Sequence, residues 1–334
     1  MSYNLKEKEI SLLSFLACPL CRGGLTSIGV NQMECLSCKT VYPVEDRIPI
    51  MLPPKMDKFK TLEAEFHSKE ADEFVERHMK HSYRVARYLN DYLKCFNGCQ
   101  KGAVILEVGG GGGLEAVYLK NMGFTLIESD ISVGMVKTGR RRAIAAGQNS
   151  ASLFVVCDAE QLPCLDQCLD VILIVGALHH LPSPERFFAE AKRVLKPGGR
   201  LVIGFEPNRW PYLTIYPALR LLRKLLYPSK VVAGGISIGD MVSTGFTEAD
   251  FERFLRIAGL KKVSLQRIWY IDGFIQLAME QINRRRPVGR LLDLPDTLQR
   301  VFVAVDNFLS RIPLLCRLCW HWTLVAQQPC SDSD

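Results

Sequence analysis

The run Glu107-Val108-Gly109-Gly110-Gly111-Gly112-Gly113 comes directly after the apolar stretch Ala103-Val104-Ile105-Leu106. A strand that ends in an acidic residue and breaks into glycines marks the leading edge of a nucleotide-binding α/β unit. The glycines permit a tight turn and let a ligand lie against bare main chain. By itself such a run can be only a pliable turn, so its weight depends on the residues downstream. From residue 103 onward, short apolar runs alternate with helical periodicity. Strands are expected over 103–108, 124–129, 152–157, 169–175 and 200–205, and helices over 113–121, 132–146 and 184–195. This alternation predicts an α/β fold: a Rossmann-like parallel sheet with helices on both faces and ligands at the carboxyl ends of the strands.

Four of those strand ends carry polar chemistry. The first has Glu107 with Gly109, Gly111 and Gly113. The second reads Glu128-Ser129-Asp130-Ile131-Ser132 and places Asp130 23 residues after Glu107, where a carboxylate can accept both hydroxyls of a ribose. The third, Cys157-Asp158-Ala159-Glu160, puts Asp158 where it can accept from an exocyclic adenine amine. The fourth, Gly176-Ala177-Leu178-His179-His180-Leu181, precedes a helix expected to open with Ser183 as cap and Pro184 at its first position. Glu206 ends the fifth strand. His179, His180 and Glu206 are the candidate catalytic residues, as acid–base groups for an oxygen or nitrogen acceptor; the alternative for the histidines is a structural role.

A second, smaller unit stands in front. Cys18-Pro19-Leu20-Cys21 and Cys35-Leu36-Ser37-Cys38 are two Cys-x2-Cys knuckles at hairpin separation. Cys18, Cys21, Cys35 and Cys38 therefore make a candidate tetrahedral zinc site, closed by four thiolates and so structural rather than catalytic. About 50 residues is a small core to fold securely, which a metal would remedy. The expected organisation is a zinc-ribbon domain over 1–55, a helical linker or lid over 56–100, and the Rossmann-like domain over 101–328 with an insert at 271–319.

Composition narrows the functional class. The chain of 334 residues is 48% hydrophobic and 23% charged, enough for a sizeable core. No apolar run approaches the roughly 18 residues of a spanning helix. Twelve cysteines point to reduced thiols and a metal rather than a disulfide scaffold. Together with the polar opening residues this predicts a cytoplasmic protein. The net charge of +7 divides into +2 over residues 1–205 (25 cationic, 23 anionic) and +5 over 206–334 (17 and 12). That is mild, and leaves nucleic acid open as a partner without requiring it.

These motifs carry two resemblances. Leu16-Ala17-Cys18-Pro19-Leu20-Cys21, Cys35-Leu36-Ser37-Cys38 and Tyr42-Pro43-Val44-Glu45-Asp46-Arg47-Ile48-Pro49-Ile50-Met51-Leu52 resemble the small zinc-ribbon family of activating partner subunits of tRNA and protein methyltransferases. The departure is Arg47, where a glycine is usual. The set Glu107/Gly109/Gly111/Gly113, Asp130-Ile131-Ser132, Asp158-Ala159-Glu160, Leu178-His179-His180-Leu181 and Leu195-Lys196-Pro197-Gly198-Gly199 resembles the class I S-adenosylmethionine-dependent methyltransferases. The likeness is greatest to the group that contains the ubiquinone and menaquinone biosynthesis enzymes. The resemblance implies S-adenosylmethionine as cofactor. Gly109 and Gly111 would cradle its methionine part. Glu107 would orient the loop or the amino group, Asp130 would hold the ribose, and Asp158 and Ala159 would meet the adenine; Gly113, Ile131 and Gly176 would also bind the cofactor.

The acceptor is expected to be a small or lipid-like metabolite, because hydrophobic residues dominate the last third. There Ala218, Leu221, Leu222 and Leu225 share one helical face and Arg220, Arg223 and Lys224 another, so 217–228 reads as a basic amphipathic helix. It can lie on an anionic membrane as a peripheral contact or pack on the sheet as a lid. Lys262–Tyr270 and Trp320–Gln327 are expected to close the sheet as an antiparallel pair. The insert between them either shapes the acceptor site or only packs on the sheet. The competing functions are methylation of tRNA, rRNA or protein, and a non-catalytic cofactor-binding scaffold.

Overall fold

The computed structural model describes residues 12–79, 91–148, 152–211, 213–215, 217, 237–283, 286, 290, 292–313 and 315–330. The front unit is a meander of β1 (Leu25–Ser27), β2 (Gln32–Cys35), β3 (Val41–Glu45) and β4 (Ile48–Met51), each antiparallel to the next. Arg22 and Lys39, each directly after the second cysteine of a knuckle, take positive φ of 63° and 59° and turn the two knuckles alike. Asp46 and Arg47 have φ of 49° and 65°, the double left-handed geometry of a tight hairpin turn. Arg47 thus adopts the conformation that glycine would adopt freely.

Behind it, β5 (Val104–Val108), β6 (Thr125–Asp130), β7 (Ser152–Cys157), β8 (Leu169–Val175) and β9 (Leu195–Pro207) form a parallel sheet. β10 (Lys261–Ile268) and β11 (His321–Gln327) complete it, with β11 antiparallel to both its neighbours. The order is β7-β6-β5-β8-β9-β11-β10. The ribbon is not a separate bead on this sheet: β4 pairs in parallel with β7, Ile50 opposite Val156 and Met51 opposite Cys157.

The parallel strands are near-continuous apolar runs because both faces are covered. Leu106, Ile172, Ile174, Leu201 and Ile203 point to one side, where they meet Phe187 and Phe188 of α4 (Pro184–Val194) and Phe251 and Phe254 of α6 (Glu248–Ala258). Ile105, Val171, Leu173 and Val202 point to the other, towards Tyr92, Phe96 and Leu119 of α2 (Ala116–Asn121). Phe187, Phe188 and Phe251 are fully buried, each contributing roughly 2–3 kcal/mol of transfer free energy.

Two local expectations are corrected. Ser183 precedes α4, but its side chain makes no capping bond; its amide instead donates to Glu160 Oε1 at 2.7 Å, and Pro184 needs no partner. The helix expected over 184–195 ends at Val194, and the strand expected from 200 already starts at Leu195, opposite Leu169, with Lys196-Pro197-Gly198-Gly199 as an irregularity within it. α6 is closed as its sequence suggests, by a Thr247–Asp250 capping box and by Gly259 at φ 70°.

Three further elements matter for the site. α1 (Lys58–Met79) crosses the carboxyl ends of the strands, and α3 (Val133–Ala145) starts there with Ser132 as its cap. The short α5 (Ile238–Val242) sits over the turn after β8. The insert folds as α7 (Ile271–Asn283) and α8 (Asp296–Leu309), and Asp306 of α8 accepts the amides of Tyr270 and Ile271 at 3.1 and 2.9 Å. Apart from Pro217, the basic segment 217–228 lies outside the described residues. Among the described residues no helix is long and apolar enough to cross a membrane.

Candidate functional site

The strand order reverses direction between β5 and β8, so the crevice opens above their carboxyl ends. Every strand-end residue singled out from the sequence falls there. Gly109, Gly111 and Gly113 all have positive φ (64°, 55° and 71°). A Cβ on Gly109 would lie 2.7 Å from that of Ala177, so the two strand-end loops can approach only because this residue is glycine. A Cβ on Gly111 would meet open space, so the loop presents bare main chain at that point. Gly176 comes after β8 at φ 58°, its amide bonded to the Gly204 carbonyl at 2.8 Å.

Asp130 anchors this loop. Its Oδ2 accepts the Gly111 amide at 3.0 Å and its Oδ1 the Ser132 amide at 2.8 Å. Burial raises its pKa, opposed by those amides and by the nearby His67. Glu107 is buried beneath the loop. Burial and the adjacent Glu115 and Glu128 carboxylates push its pKa well above the usual carboxylate range. Lys120 compensates the neighbouring Glu128 at 2.7 Å.

Asp158 is buried and accepts Lys60 Nζ at 2.6 Å, while its Oδ1 takes the Glu160 amide at 2.9 Å. Lys60 also reaches Glu160 at 2.9 Å. Ala159, on the same turn, is buried. Ile131 lines a cavity of about 390 Å³ with Leu52, Met56, Ala64, Ser68 and Val133. This cavity lies between α1 and the start of α3, beside the Asp130 strand end.

The open bend at Gly111, the carboxylate beside it and the buried Asp158 on the next strand end suit the methionine, ribose and adenine parts of a nucleoside cofactor. The four ribbon thiols suit zinc. Cys18 and Cys38 Sγ are 3.6 Å apart, Cys21 and Cys35 Sγ 3.4 Å apart, and all four lie within 4.8 Å of one another. A tetrahedron with Zn–S bonds of about 2.3 Å has edges of about 3.8 Å, so little movement is needed.

The histidine pair occupies a 3-10 turn, Leu178–His180, immediately after β8. Glu206, fully buried on β9, organises it. Glu206 Oε1 accepts the amides of Ala177 and Leu178 at 3.0 and 2.8 Å; Oε2 accepts the His179 amide at 3.1 Å and lies 3.0 Å from His179 Nδ1. Burial works against a charged imidazole, but the Glu206 and Asp240 carboxylates prevail and raise His179 to about 9. His179 is therefore protonated at neutral pH and poised to donate rather than to accept a proton. His180 Nδ1 lies 2.9 Å from Glu63 Oε2. Burial disfavours the Glu63 anion, yet His180, His67 and the Gly239 amide hold it below the usual carboxylate range.

Lys60, Glu63, His67 and Asp240 are site residues that the sequence did not single out. Three of them lie on α1, whose balanced charges suggest a solvated face. α1 instead packs intimately on the loop. A Cβ on Gly112 would collide with Val75, and one on Gly134 would lie 2.6 Å from the Ser68 backbone. Ser68 Oγ meets Ser132 Oγ at 2.8 Å, and Asp72 accepts Thr138 Oγ1 at 2.7 Å.

Residues 106–203 match the family model described as "Methyltransferase domain", and residues 9–46 that described as "Trm112p-like protein". The Ubiquinone/menaquinone biosynthesis C-methyltransferase UbiE of Acidiphilium cryptum is 39% identical over 97 residues, 29% of this chain and 39% of that protein. The Demethylmenaquinone methyltransferase of Clavibacter sepedonicus is 32% identical over 168 residues, 48% of this chain and 67% of that one. The chain spans less than half the length of other such relatives, 39% and 48% in two of them. In fold it is similar to the crystal structure of the [4+2]-cyclase SpnF, with a TM-score of 0.50 at 20% identity, covering 73% of this chain and 81% of that one. The order of the sheet, the glycine bend with its carboxylate, and these relatives converge: the chain belongs to the S-adenosylmethionine-dependent methyltransferase family, with a Trm112p-like segment at its front.

Proposed function

We propose that this protein transfers a methyl group from S-adenosylmethionine to a small, lipid-like metabolite. The observation that carries the reading is the alignment of Gly111, Asp130 and Asp158 along adjacent strand ends, with the His179–Glu206 pair across the crevice. When bound, the cofactor supplies an electrophilic methyl on a sulfonium that is its own leaving group. The chain's part is to bind, orient and exclude water. Glu107, Gly109, Gly111 and Gly113 would hold the methionine end, with Gly176 giving room opposite; Asp130 would take the ribose hydroxyls, Ile131 would flank the base, and Asp158 and Ala159 would meet its edge. Cys18, Cys21, Cys35 and Cys38 would hold a structural zinc.

His179, held by Glu206, would donate a hydrogen bond from Nε2 that favours and orients the ionised form of the acceptor, whose own proton is released to solvent before the methyl is transferred. His180 would flank it. This assigns Glu206 a positioning role, because both its oxygens are engaged by backbone amides and the His179 ring. α1 would keep water from the crevice and must shift for the cofactor to reach Asp158, since Lys60 now occupies that carboxylate.

Two facts support a lipid-like acceptor. Relatives bear the names of ubiquinone/menaquinone biosynthesis and demethylmenaquinone methyltransferases. The insert also leaves Phe274, Val301 and Phe308 substantially exposed. The Trm112p-like match supports a second reading, an RNA or protein acceptor recognised with the ribbon's help. The test incubates the purified chain with methyl-labelled S-adenosylmethionine and cell extract, then separates lipid, small-molecule, RNA and protein fractions. Label in the lipid or small-molecule fraction is expected. Label in RNA or protein would establish the second reading instead, and cofactor binding without transfer would leave a scaffold.

A further inference from the structure

We propose that His179, His180 and Asp240 form a second metal site, separate from the ribbon thiols, that takes a divalent first-row transition-metal ion. Asp240 Oδ1 stands 3.5 Å from His179 Nε2 and 3.8 Å from His180 Nε2, and one ligand atom from each residue lies within 4.8 Å of the others. Those separations exceed hydrogen-bond length. They approach the edges of about 3.0–3.4 Å that ligands have around an ion with bonds of roughly 2.0–2.1 Å. Two imidazoles and one carboxylate on one side of an ion leave the other positions open for oxygen ligands.

The surroundings are those of a ligand set rather than of two surface histidines. Each ring turns Nδ1 towards a buried carboxylate, His179 to Glu206 at 3.0 Å and His180 to Glu63 at 2.9 Å. An Nδ1–H donated to a carboxylate turns Nε2 away from it, so Nε2 becomes the ligand atom once the metal displaces any proton it holds. Both carboxylates are themselves fixed: Glu206 by three backbone amides, Glu63 by the Gly239 amide at 2.6 Å. Gly239 can come so close to His180 only because it has no Cβ, and this brings the next residue, Asp240, over both rings. The three carboxylates of Glu206, Glu63 and Asp240 around the two rings favour a cation there. Bound at the crevice, the ion would hold an acceptor oxygen where the methyl-transfer reading places the His179 proton, and so would replace that proton. The site itself rests only on these side chains, and its test involves no turnover.

The full chain is first loaded with one equivalent of zinc, which the four-thiol ribbon takes in preference. It is then titrated with cobalt(II) and followed by calorimetry and visible absorption. One cobalt per chain is expected, without the intense thiolate charge-transfer absorption that entry into the ribbon would give. Asp240→Asn, at a half-exposed side chain, should abolish this equivalent or weaken it at least tenfold, and His180→Gln should do the same. Glu206→Gln should weaken it about 10- to 100-fold as an outer-shell change. No equivalent beyond the ribbon zinc would overturn the proposal. So would undiminished binding in Asp240→Asn, or loss only in His67→Gln, which would move the ion to the Glu63–His67–His180 cluster. Methyl-transfer activity can fail while this binding holds, and the reverse.

Discussion

Replacing Lys60 by methionine tests how α1 is held over the crevice. Lys60 is the cation between two carboxylates whose side chains are only 4% and 2% exposed, Asp158 at 2.6 Å and Glu160 at 2.9 Å. Removing one partner of a buried ion pair costs about 3–5 kcal/mol, because the charges left behind are poorly solvated. Here Asp158 keeps the Glu160 amide and Glu160 keeps the Ser183 amide, so the low end of that range, about 3 kcal/mol, applies. The carboxylates regain water if α1 lifts away, so the cost appears as local opening. At about 1.4 kcal/mol per tenfold it amounts to somewhat more than a hundredfold in the opening equilibrium. Amide hydrogen exchange reads it directly: protection within α1 should fall by about that factor while β5 and β8 keep theirs. Adding Glu160→Gln removes one stranded charge and should restore part of the loss. Unchanged protection in Lys60→Met would refute the reasoning and show that Ala71 and Val75, buried on the same helix, suffice to hold it.

Glu107 gives a pH test. Its folded-state pKa is raised, so the folded chain keeps a proton that the unfolded chain loses above its own value of about 4.3, and this group's contribution to stability declines as pH rises from there. Glu107→Gln removes this term; its stability advantage over wild type in urea unfolding should grow with pH above about 4.3, and a difference flat in pH would contradict the assignment. For the ribbon, Cys35→Ser should lower bound zinc by about one per chain by elemental analysis, since three thiolates leave the tetrahedron open. Full zinc retention would remove Cys35 from the ligand set.

The central sheet was legible because its strands are parallel and doubly covered. Val171–Val175 and Leu153–Cys157 are apolar at every or nearly every position, and the glycine bend comes directly after another such run, Val104–Val108. The strand-end carboxylates were legible for the same reason: once a strand's end is known, the next polar residue faces the crevice. What sequence could not show depends on contacts between distant segments. Lys60 and Asp158 are 98 residues apart, and Glu63 and His180 are 117 apart. On a helix with a balanced set of charges, nothing local distinguishes Lys60 or Glu63 from solvated neighbours. Glu206 was placed correctly at the end of its strand, but its role as an acceptor for three successive amides belongs to the turn after β8. The pairing of β4 with β7 escaped too, although Ile48-Pro49-Ile50-Met51, apolar on both faces, is the pattern of a strand with cover on each side.

If these strand ends bind S-adenosylmethionine, Asp130 is the side chain on which binding most depends. Calorimetric titration of the wild type and Asp130→Ala with S-adenosylhomocysteine, which binds without turning over, measures that dependence. One saturable site per chain is predicted for the wild type. Asp130→Ala should lose about tenfold to a hundredfold in affinity, the worth of hydrogen bonds from ribose hydroxyls to a charged acceptor. Equal affinity in the two proteins, or no binding to the wild type, would contradict a cofactor site at this carboxylate.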